Sequence, residues 1–370
     1  MRWGARMTML SLGGRTVLEP FLDPQKNAFN LVRLVAALSV IVSHVFVVAG
    51  GSGTAQPLEL VTPFTLGQHA VNVFFVISGL TVAASLDRSP DAFRFLANRA
   101  LRIVPALMVY GLVFALVLGA LVAVVPLADY YSDPATLAYP LAVLVLFSHA
   151  PAPDGVFATA PLAGMVNMSL WTIQYEILAY IGLAALFVTG LLRYGAVLLA
   201  LVAGAAAALV GVEAAGIVGI WPGALHPPLF ALCFLLGVAA YRWRSRIVLS
   251  PLVLLGFLGF AVLAGRTPIG PLAYVLLAAY GALLFGTLPA GALGRWTRHT
   301  DISYGTYIYG WPVQQMLVGF FPGWSMFALG LAGLVSAAAI GFLSWSLVEK
   351  RALALKRRFA PRRQQAAVAW

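Results

Sequence analysis

The feature that most constrains this chain is a series of long apolar runs that contain almost no charged residues. Only 9% of its 370 residues are charged, whereas an ordinary soluble domain has about 25%. This composition excludes a soluble globular enzyme, a disordered chain and a fibrous protein. The runs are continuous rather than alternating, so they are typical of membrane-spanning helices and not of a β-barrel.

We predict an all-α, polytopic integral membrane protein with about ten transmembrane helices, because a helix needs about 20 apolar residues to cross a bilayer. The predicted spans are Phe29–Ala49, Ala70–Leu86, Ile103–Val125, Ser169–Thr189, Tyr194–Val212, Pro227–Tyr241, Ile247–Gly265, Pro268–Leu288, Ser303–Phe320 and Ser325–Val348. An eleventh apolar piece, Tyr139–His149, is about half as long as a span. We expect it either to cross as a short helix or to re-enter the membrane within the outer segment Pro126–Met168.

The positions of the basic residues indicate how the chain crosses the membrane. If Tyr139–His149 does not cross, Arg266 is the one basic loop residue that falls on the outside. If it does cross, Arg193 and the basic residues of the later inner loops and tail would face outward. The positive-inside rule favours the first arrangement, with both termini in the cytoplasm. The chain would then consist of a cytoplasmic segment 1–26, a transmembrane domain 27–349 and a basic cytoplasmic tail 350–370.

The net charge of +11 does not indicate nucleic-acid binding, because the basic residues cluster at the ends of apolar runs, as they do in membrane proteins. The single cysteine, Cys233, can form neither an internal disulfide nor a cysteine-based metal site. Four histidines lie at span ends or in loops without metal-ligand spacing, namely His69, His149, His226 and His299. We therefore expect neither a metal nor a nucleic-acid partner.

Three ionisable side chains lie inside the predicted spans: Arg33, His44 and Glu176. Such groups are costly in hydrocarbon and are candidates for function. The spacing of Arg33 and His44 on one helix places them on the same face, ~16 Å apart. Glu176 is expected at a similar depth to His44, where a carboxylate can orient an imidazole as a general base. The alternatives are that Arg33 reaches the interface and that the other two form structural hydrogen bonds.

A second basic cluster, Arg94–Arg102, precedes the third span on the cytoplasmic side. Within it, Arg99 and Arg102 are three positions apart and share a helix face. Guanidinium groups bind phosphate and pyrophosphate through bidentate, charge-assisted hydrogen bonds. The two arginines therefore predict a phosphate site, with an anchor on anionic lipid headgroups as the alternative.

Six short segments form an ordered set of motifs over nearly the whole chain. The first is Asn30-Leu-Val-Arg33 with His44 after it, and the others are Ala70–Gly79, Phe95–Pro105, Asn167–Glu176, Ile302–Pro312 and Val348–Lys350. Together they resemble the motifs of membrane acyltransferase family 3, whose bacterial members O-acylate cell-surface glycans and other exported acceptors. There are two departures: Asn72 stands where the family usually has aspartate, and Gly310 where many members have histidine.

The resemblance implies an acyl-CoA donor, commonly acetyl-CoA, on the cytoplasmic side of a bacterial inner membrane, and an acceptor hydroxyl on a glycan or lipid-linked saccharide. Coenzyme A would be a co-substrate rather than a permanently bound cofactor. It also implies that His44 is the general base or carries a transient acyl group, with Glu176 orienting it. Arg33, Arg99 and Arg102 would hold the phosphates of coenzyme A. The residues expected to shape the acceptor site are Asn72, Ser78, Asn167 and Trp171.

A transporter or flippase of lipid-linked saccharides is the alternative, since ten spans with both termini inside also suit that class. The lack of an internal repeat and the scarcity of charge within the spans favour the enzyme. The sequence leaves the acceptor open among exopolysaccharide, lipopolysaccharide, secreted oligosaccharide and a lipid intermediate. It also leaves the acyl group open between acetyl and longer chains.

Overall fold

A computed structural model describes residues 16–356, and each of the ten predicted spans forms a helix in it. The predicted segment 1–26 and tail 350–370 lie partly outside the described residues. The helices are α1 (Phe29–Gly50), α2 (Leu66–Arg88), α3 (Ala92–Val113), α4 (Leu127–Ser132), α5 (Pro134–Leu146), α6 (Ile173–Val188), α7 (Gly195–Ala214), α8 (His226–Arg242), α9 (Pro251–Ala264), α10 (Gly270–Gly286), α11 (Gly291–His299), α12 (Ser303–Phe320), α13 (Met326–Ser344) and α14 (Lys350–Ala354).

The number of membrane crossings is smaller when it is judged from helix length and composition. Seven helices in the described part of the chain are long and apolar enough to cross, and α10 with α11, bent by 98°, makes an eighth if the pair is one span. The piece predicted at Tyr139–His149 lies in α5 and the 3₁₀ turn after it, a shorter apolar helix. The protein is thus an all-α, polytopic membrane protein, while ten crossings and cytoplasmic termini stay predictions.

α3 and α13 both continue beyond their regular ends through five-residue π-helical turns. α3 continues through Phe114–Leu118 to Val122, which makes a helix of 31 residues. Such a helix extends ~46 Å, whereas the hydrocarbon core is ~30 Å thick. At its start, the Asp91 side chain accepts a hydrogen bond from the backbone N–H of Arg94, 2.9 Å away. The extra length allows the capped first turns of α3, which carry the arginines, to lie outside the hydrocarbon.

The chain folds into two compact units, and the division between them falls within α1. Unit 1 comprises Met1–Ser43, Ala55–Ser89 and Ala185–Asp301, and unit 2 comprises His44–Thr54, Pro90–Ala184 and Ile302–Trp370. In unit 1, the two-residue strands β1 (Thr16–Val17) and β2 (Val248–Leu249) pair in antiparallel fashion.

Close packing of α2 on α8 holds unit 1 together. The contact depends on glycine, because a Cβ atom at Gly79 would lie 2.0 Å from the carbonyl oxygen of Phe234, and one at Gly237 would lie 2.1 Å from that of Val76. Small residues let two membrane helices approach to backbone contact in this way.

α12 is the most buried helix of unit 2, since all thirteen residues from Ser303 to Gln315 are buried. It packs on α13 at Gly305 and Gly341, where a Cβ atom at Gly305 would lie 2.9 Å from the Cα of Gly341. α12 contains three tyrosines, two glutamines and one threonine. In apolar surroundings these polar groups need partners inside the protein, and those partners form the candidate site.

Candidate active site

An ion pair between Arg102 and Glu349 lies beside the N-terminal end of α12. Their closest nitrogen and oxygen are 2.8 Å apart, and the side chains are 11% and 1% exposed. The second carboxylate oxygen of Glu349 accepts a hydrogen bond of 3.0 Å from the Ser344 hydroxyl. The Arg102 guanidinium also lies 5.6 Å from the ring centre of Tyr304, within cation–π range. Arg102 is therefore held in place, with its charge balanced by a buried carboxylate.

Arg99, one turn before Arg102 on α3, has different surroundings. Its guanidinium lies 5.9 Å from the ring centre of Tyr180 on α6. The Tyr180 hydroxyl donates a hydrogen bond to Glu176, one turn earlier on the same helix. Among residues 16–356, Arg99 forms no ion pair, and its Nε is buried without a hydrogen-bond partner. Its positive charge is thus available to a ligand.

In the middle of α12, Asn167 supplies the hydrogen bond that Pro312 cannot donate. Proline has no N–H, so Pro312 leaves the carbonyl of Ile308, four residues earlier, without its helical donor. The Asn167 side-chain amide donates to that carbonyl at 2.7 Å. The amide oxygen of Asn167 caps the following turn by accepting from the Ser169 N–H at 3.1 Å. Both ends of this buried amide are used within the protein, which gives Asn167 a structural role.

His44 lies beside the C-terminal half of the buried stretch of α12. The His44 and Trp311 rings meet edge to face, with centres 4.9 Å apart and planes at 80°. His44 is partly buried, and in the described part of the chain its Nδ1 has no hydrogen-bond partner. Trp311 is held in turn, because its indole N–H donates to the carbonyl oxygen of Met165 at 2.9 Å. The imidazole is therefore oriented by an aromatic ring rather than by a carboxylate.

Gln315, which sequence analysis did not select, belongs to the same group. Its side-chain NH₂ donates to the carbonyl oxygens of Leu162 at 3.1 Å and Met165 at 3.2 Å. The Met165 oxygen thus accepts from both Gln315 and Trp311. The amide oxygen Oε1 of Gln315 is buried and has no partner among the described residues. A glutamine one turn after a buried tryptophan is the sequence signal that could have identified it.

Among residues 16–356, no hydrogen bond joins His44 to Glu176, the carboxylate expected to orient it. Glu176 accepts its hydrogen bond from Tyr180, and His44 contacts Trp311. The expectation rested on similar depth in the membrane, which does not specify the direction in which a side chain leaves its helix. Glu176 thus lies with the Arg99–Tyr180 contact in this structure, and its role in orienting His44 stays a prediction.

The remaining selected residues divide between the two units. In unit 1, Arg33 forms an ion pair of 3.1 Å with Asp301, the side chains being 23% and 12% exposed. Asn72 is fully buried, and its amide oxygen accepts from Gln68 at 2.9 Å. Ser78 precedes the tightly packed Gly79 on α2. In unit 2, Trp171 lies edge to face with Tyr175, their ring centres 5.9 Å apart. Substrate contacts of these residues stay predictions.

Sequence analysis also did not identify Asp301 and Glu349 as the ion-pair partners of Arg33 and Arg102. They are the two carboxylates that follow Glu213 in the sequence. Their isolation in so apolar a stretch was the available signal, because a buried arginine needs a carboxylate. Within residues 16–356, no three His, Cys, Asp or Glu side chains lie close enough together to hold a metal ion.

Comparison with known proteins is consistent with these motifs. A family model described as an acyltransferase domain, Acyl_transf_3, matches residues 26–348. The chain is 30% identical over 344 residues to an O-acetyl transferase of Shigella phage Sf6, covering 89% of this chain and 96% of the relative. It is 27% identical over 380 residues to Nodulation protein 10 of Rhizobium leguminosarum bv. viciae, covering 91% and 96%. No solved structure matches the chain.

Proposed function

The chain belongs to acyltransferase family 3, and on this premise we propose that it is an integral-membrane O-acyltransferase of the bacterial inner membrane. It moves an acyl group, acetyl in the first instance, from cytoplasmic acyl-CoA to a hydroxyl of an exported or cell-surface glycan. The relative from phage Sf6, named an O-acetyl transferase, supports this reaction type.

The observation that carries the proposal is the row of polar contacts spaced along α12. The row begins at Tyr304 beside Arg102, passes Tyr307 and Ile308, which bond Thr172 and Asn167, and ends at Trp311 beside His44 and at Gln315 one turn later. Eleven helical positions correspond to ~16 Å along the helix axis. A donor whose phosphates lie at the arginine end can extend its pantetheine arm along this row. Its thioester would then reach the histidine without leaving unit 2.

Arg99 is the principal phosphate ligand in this proposal. It forms no ion pair, and its buried Nε lacks a hydrogen-bond partner, in the described part of the chain. Arg102 shapes the same end while its guanidinium is held by Glu349. Arg33, which is paired with Asp301, contributes to donor binding only if the donor displaces or shares that carboxylate. Glu176 acts through Tyr180, which it holds against Arg99.

His44 acts as the general base in the transfer step. It removes the proton of the acceptor hydroxyl while the hydroxyl oxygen attacks the thioester carbonyl. The tetrahedral intermediate then collapses, the carbon–sulfur bond breaks, and the coenzyme A thiolate takes the proton from the imidazolium. The same position suits a two-step route, in which His44 attacks the thioester, releases coenzyme A and passes the acyl group to the hydroxyl. Rapid release of coenzyme A without acceptor would identify the second route.

The unpartnered Oε1 of Gln315 can accept a hydrogen bond from a sugar hydroxyl next to the one that reacts. A buried acceptor without a partner is costly, so a ligand hydroxyl that reaches it gains free energy. Asn72, Ser78 and Trp171 are further candidates for the acceptor site. Membrane lipids surround the protein and present a lipid-linked saccharide to it.

Acetyl transfer in cells and donor binding in vitro together test the proposed function. The wild type should bind acetyl-CoA after purification in detergent, and its expression should add acetyl esters, detected by mass spectrometry, to exported glycans. His44→Ala should retain binding and lose the esters, with its membrane level checked by immunoblot. A folded wild type that neither binds nor consumes acetyl-CoA would instead favour a transporter.

A further inference from the structure

The N-terminal end of α12 in unit 2 has more positive than negative charge around it. Arg99, Arg102 and Lys356 supply three cations there, and Glu349 pairs with one of them, Arg102. Among residues 16–356, neither Arg99 nor Lys356 forms an ion pair. Glu176, which accepts from Tyr180 beside Arg99, is a second carboxylate there, so three cations stand against two carboxylates. A cluster with an excess of positive charge attracts an anionic ligand.

The fold brings Lys356 to this cluster. Lys356 follows α14, which packs against α3, the helix that carries both arginines. Its side chain is partly buried, whereas Lys350 at the start of α14 is exposed. Burial, and then the positive charges of Arg99 and Arg102, lower the pKa of Lys356 to about 8. Holding an ammonium in such surroundings costs free energy unless an anion joins it.

We propose that Lys356 is a third phosphate-binding residue, which together with Arg99 binds a phosphate of the acyl-CoA donor. The inference rests on the proposed function and concerns a residue beyond the family match, which ends at residue 348. A lysine ammonium binds phosphate as a point charge and can approach it from the membrane surface. A phosphate would supply an anionic partner to Arg99 and Lys356, which form no ion pair among residues 16–356, while Arg102 keeps its bond to Glu349.

Titration calorimetry with acetyl-CoA measures the contribution of Lys356 in protein purified in a maltoside detergent without phospholipid. At pH 7 we expect Lys356→Gln to raise the Kd about tenfold. Lys356→Arg should stay within about threefold of the wild type, because the charge is retained. Lys350→Gln, the matched control, removes an exposed cation from the same segment and should change the Kd less than about twofold. An unchanged Kd for Lys356→Gln would overturn the proposal.

Acetyl-dephospho-CoA, which lacks the 3′-phosphate, identifies the phosphate concerned. If Lys356 binds the 3′-phosphate, the wild type loses affinity for this analogue and Lys356→Gln loses no more. If Lys356 binds the diphosphate, Lys356→Gln lowers the affinities for acetyl-CoA and acetyl-dephospho-CoA by the same factor. Either pattern supports a phosphate contact.

The pH dependence of binding is an independent test. A lysine with a pKa of about 8 is charged below that pH, so the Kd of the wild type should rise between pH 7 and pH 9. The charged and titratable groups around it are Arg99, Arg102, Glu349 and, through Tyr180, Glu176. Arginine, glutamate and tyrosine side chains ordinarily titrate outside this range. Lys356→Gln should therefore show a flat profile, and a profile as steep as that of the wild type would contradict the proposal.

A lipid headgroup is the other source of the same phosphate chemistry. The titrations are therefore repeated in nanodiscs of phosphatidylcholine and of phosphatidylglycerol. If Lys356→Gln alters acetyl-CoA binding only in phosphatidylglycerol, the ligand of Lys356 is a lipid and the inference is wrong. If a wild type with an intact thermal transition binds no acetyl-CoA in any medium, the proposed function fails and the inference falls with it. If Lys356→Gln lowers the affinity for acetyl-CoA in detergent and in both lipids, while Lys356→Arg and Lys350→Gln do not, the result supports both the proposed function and the inference about Lys356.

Discussion

The two ends of the buried stretch of α12 gather different kinds of polar group. At the N-terminal end, Arg102 and Glu349 form a buried ion pair, and Arg99 adds a cation that forms no ion pair among residues 16–356. At the other end, His44 contacts Trp311, and both Trp311 and Gln315 donate to the carbonyl oxygen of Met165, so the groups there are neutral. Charge suits the binding of a phosphate, whereas a neutral site allows an imidazole to take up and return a proton. On the proposed function, donor binding therefore belongs to the charged end and acyl transfer to the neutral end.

The largest expected effect is at the neutral end. His44→Ala should lower acetyl transfer by about 10²- to 10⁴-fold, the usual contribution of a general base. Donor affinity should change little, because the phosphates bind at the charged end. Transfer is measured as acetyl ester on exported glycan, and affinity by titration calorimetry.

His69→Ala is the matched control for His44. His69 is a second histidine in a membrane helix, and it lies 3.0 Å from the Thr62 hydroxyl in unit 1. The His69→Ala variant should retain the acetyl transfer of the wild type. If both variants transferred at the wild-type rate, the division between the two ends would be wrong.

The next effect is on stability at the charged end. Glu349→Ala leaves Arg102 without its buried partner, and breaking such a pair costs about 3–5 kcal/mol. The thermal transition in detergent, followed by tryptophan fluorescence, should therefore fall markedly. The double variant Arg102→Met/Glu349→Leu removes both charges and should recover most of the loss.

The more exposed Arg33–Asp301 pair is the control for this prediction, and Asp301→Ala should destabilise less than Glu349→Ala. Equal loss at both sites would mean that burial does not set the cost of losing either carboxylate.

The sequence predicts the helices and part of the candidate site. The contacts that it does not predict depend on how the helices are rotated and packed. The helices and the shared face of Arg99 and Arg102 follow from apolar runs and helical periodicity. The hydrogen bond from Tyr180 to Glu176 was not predicted, because depth along a helix does not give the rotation of that helix about its axis. Sequence also gave no sign that α12 is buried from Ser303 to Gln315. Several of its polar contacts are to residues distant in sequence, such as Tyr307 with Thr172 and Gln315 with Leu162.

A smaller effect distinguishes Arg99 from Arg102, which lie one turn apart. Arg99→Ala should raise the Kd for acetyl-CoA by about 10- to 100-fold, the loss of one or two charge-assisted hydrogen bonds. Its thermal transition should stay close to that of the wild type, because in the described structure Arg99 holds no carboxylate. Arg102→Ala should lower stability, because it removes the cation of the buried ion pair with Glu349. If Arg99→Ala were the less stable of the two variants, the assignment of Arg99 as the free cation would fail.

The smallest expected effect concerns two adjacent glutamines on α12. Gln315 has a free Oε1 near Trp311, while the Gln314 side chain lies against Gly333 of α13. Gln315→Leu should lower acetyl transfer about tenfold through loss of one hydrogen bond to the acceptor, with no change in the Kd for acetyl-CoA. Gln314→Leu is the matched control, because it introduces the same apolar side chain at a position that faces α13. Any loss of transfer in this variant should be explained by its loss of stability. The measurement is acetyl transfer per folded molecule, compared between Gln315→Leu and Gln314→Leu. Equal values would mean that Gln315 supports the fold and does not contact the acceptor.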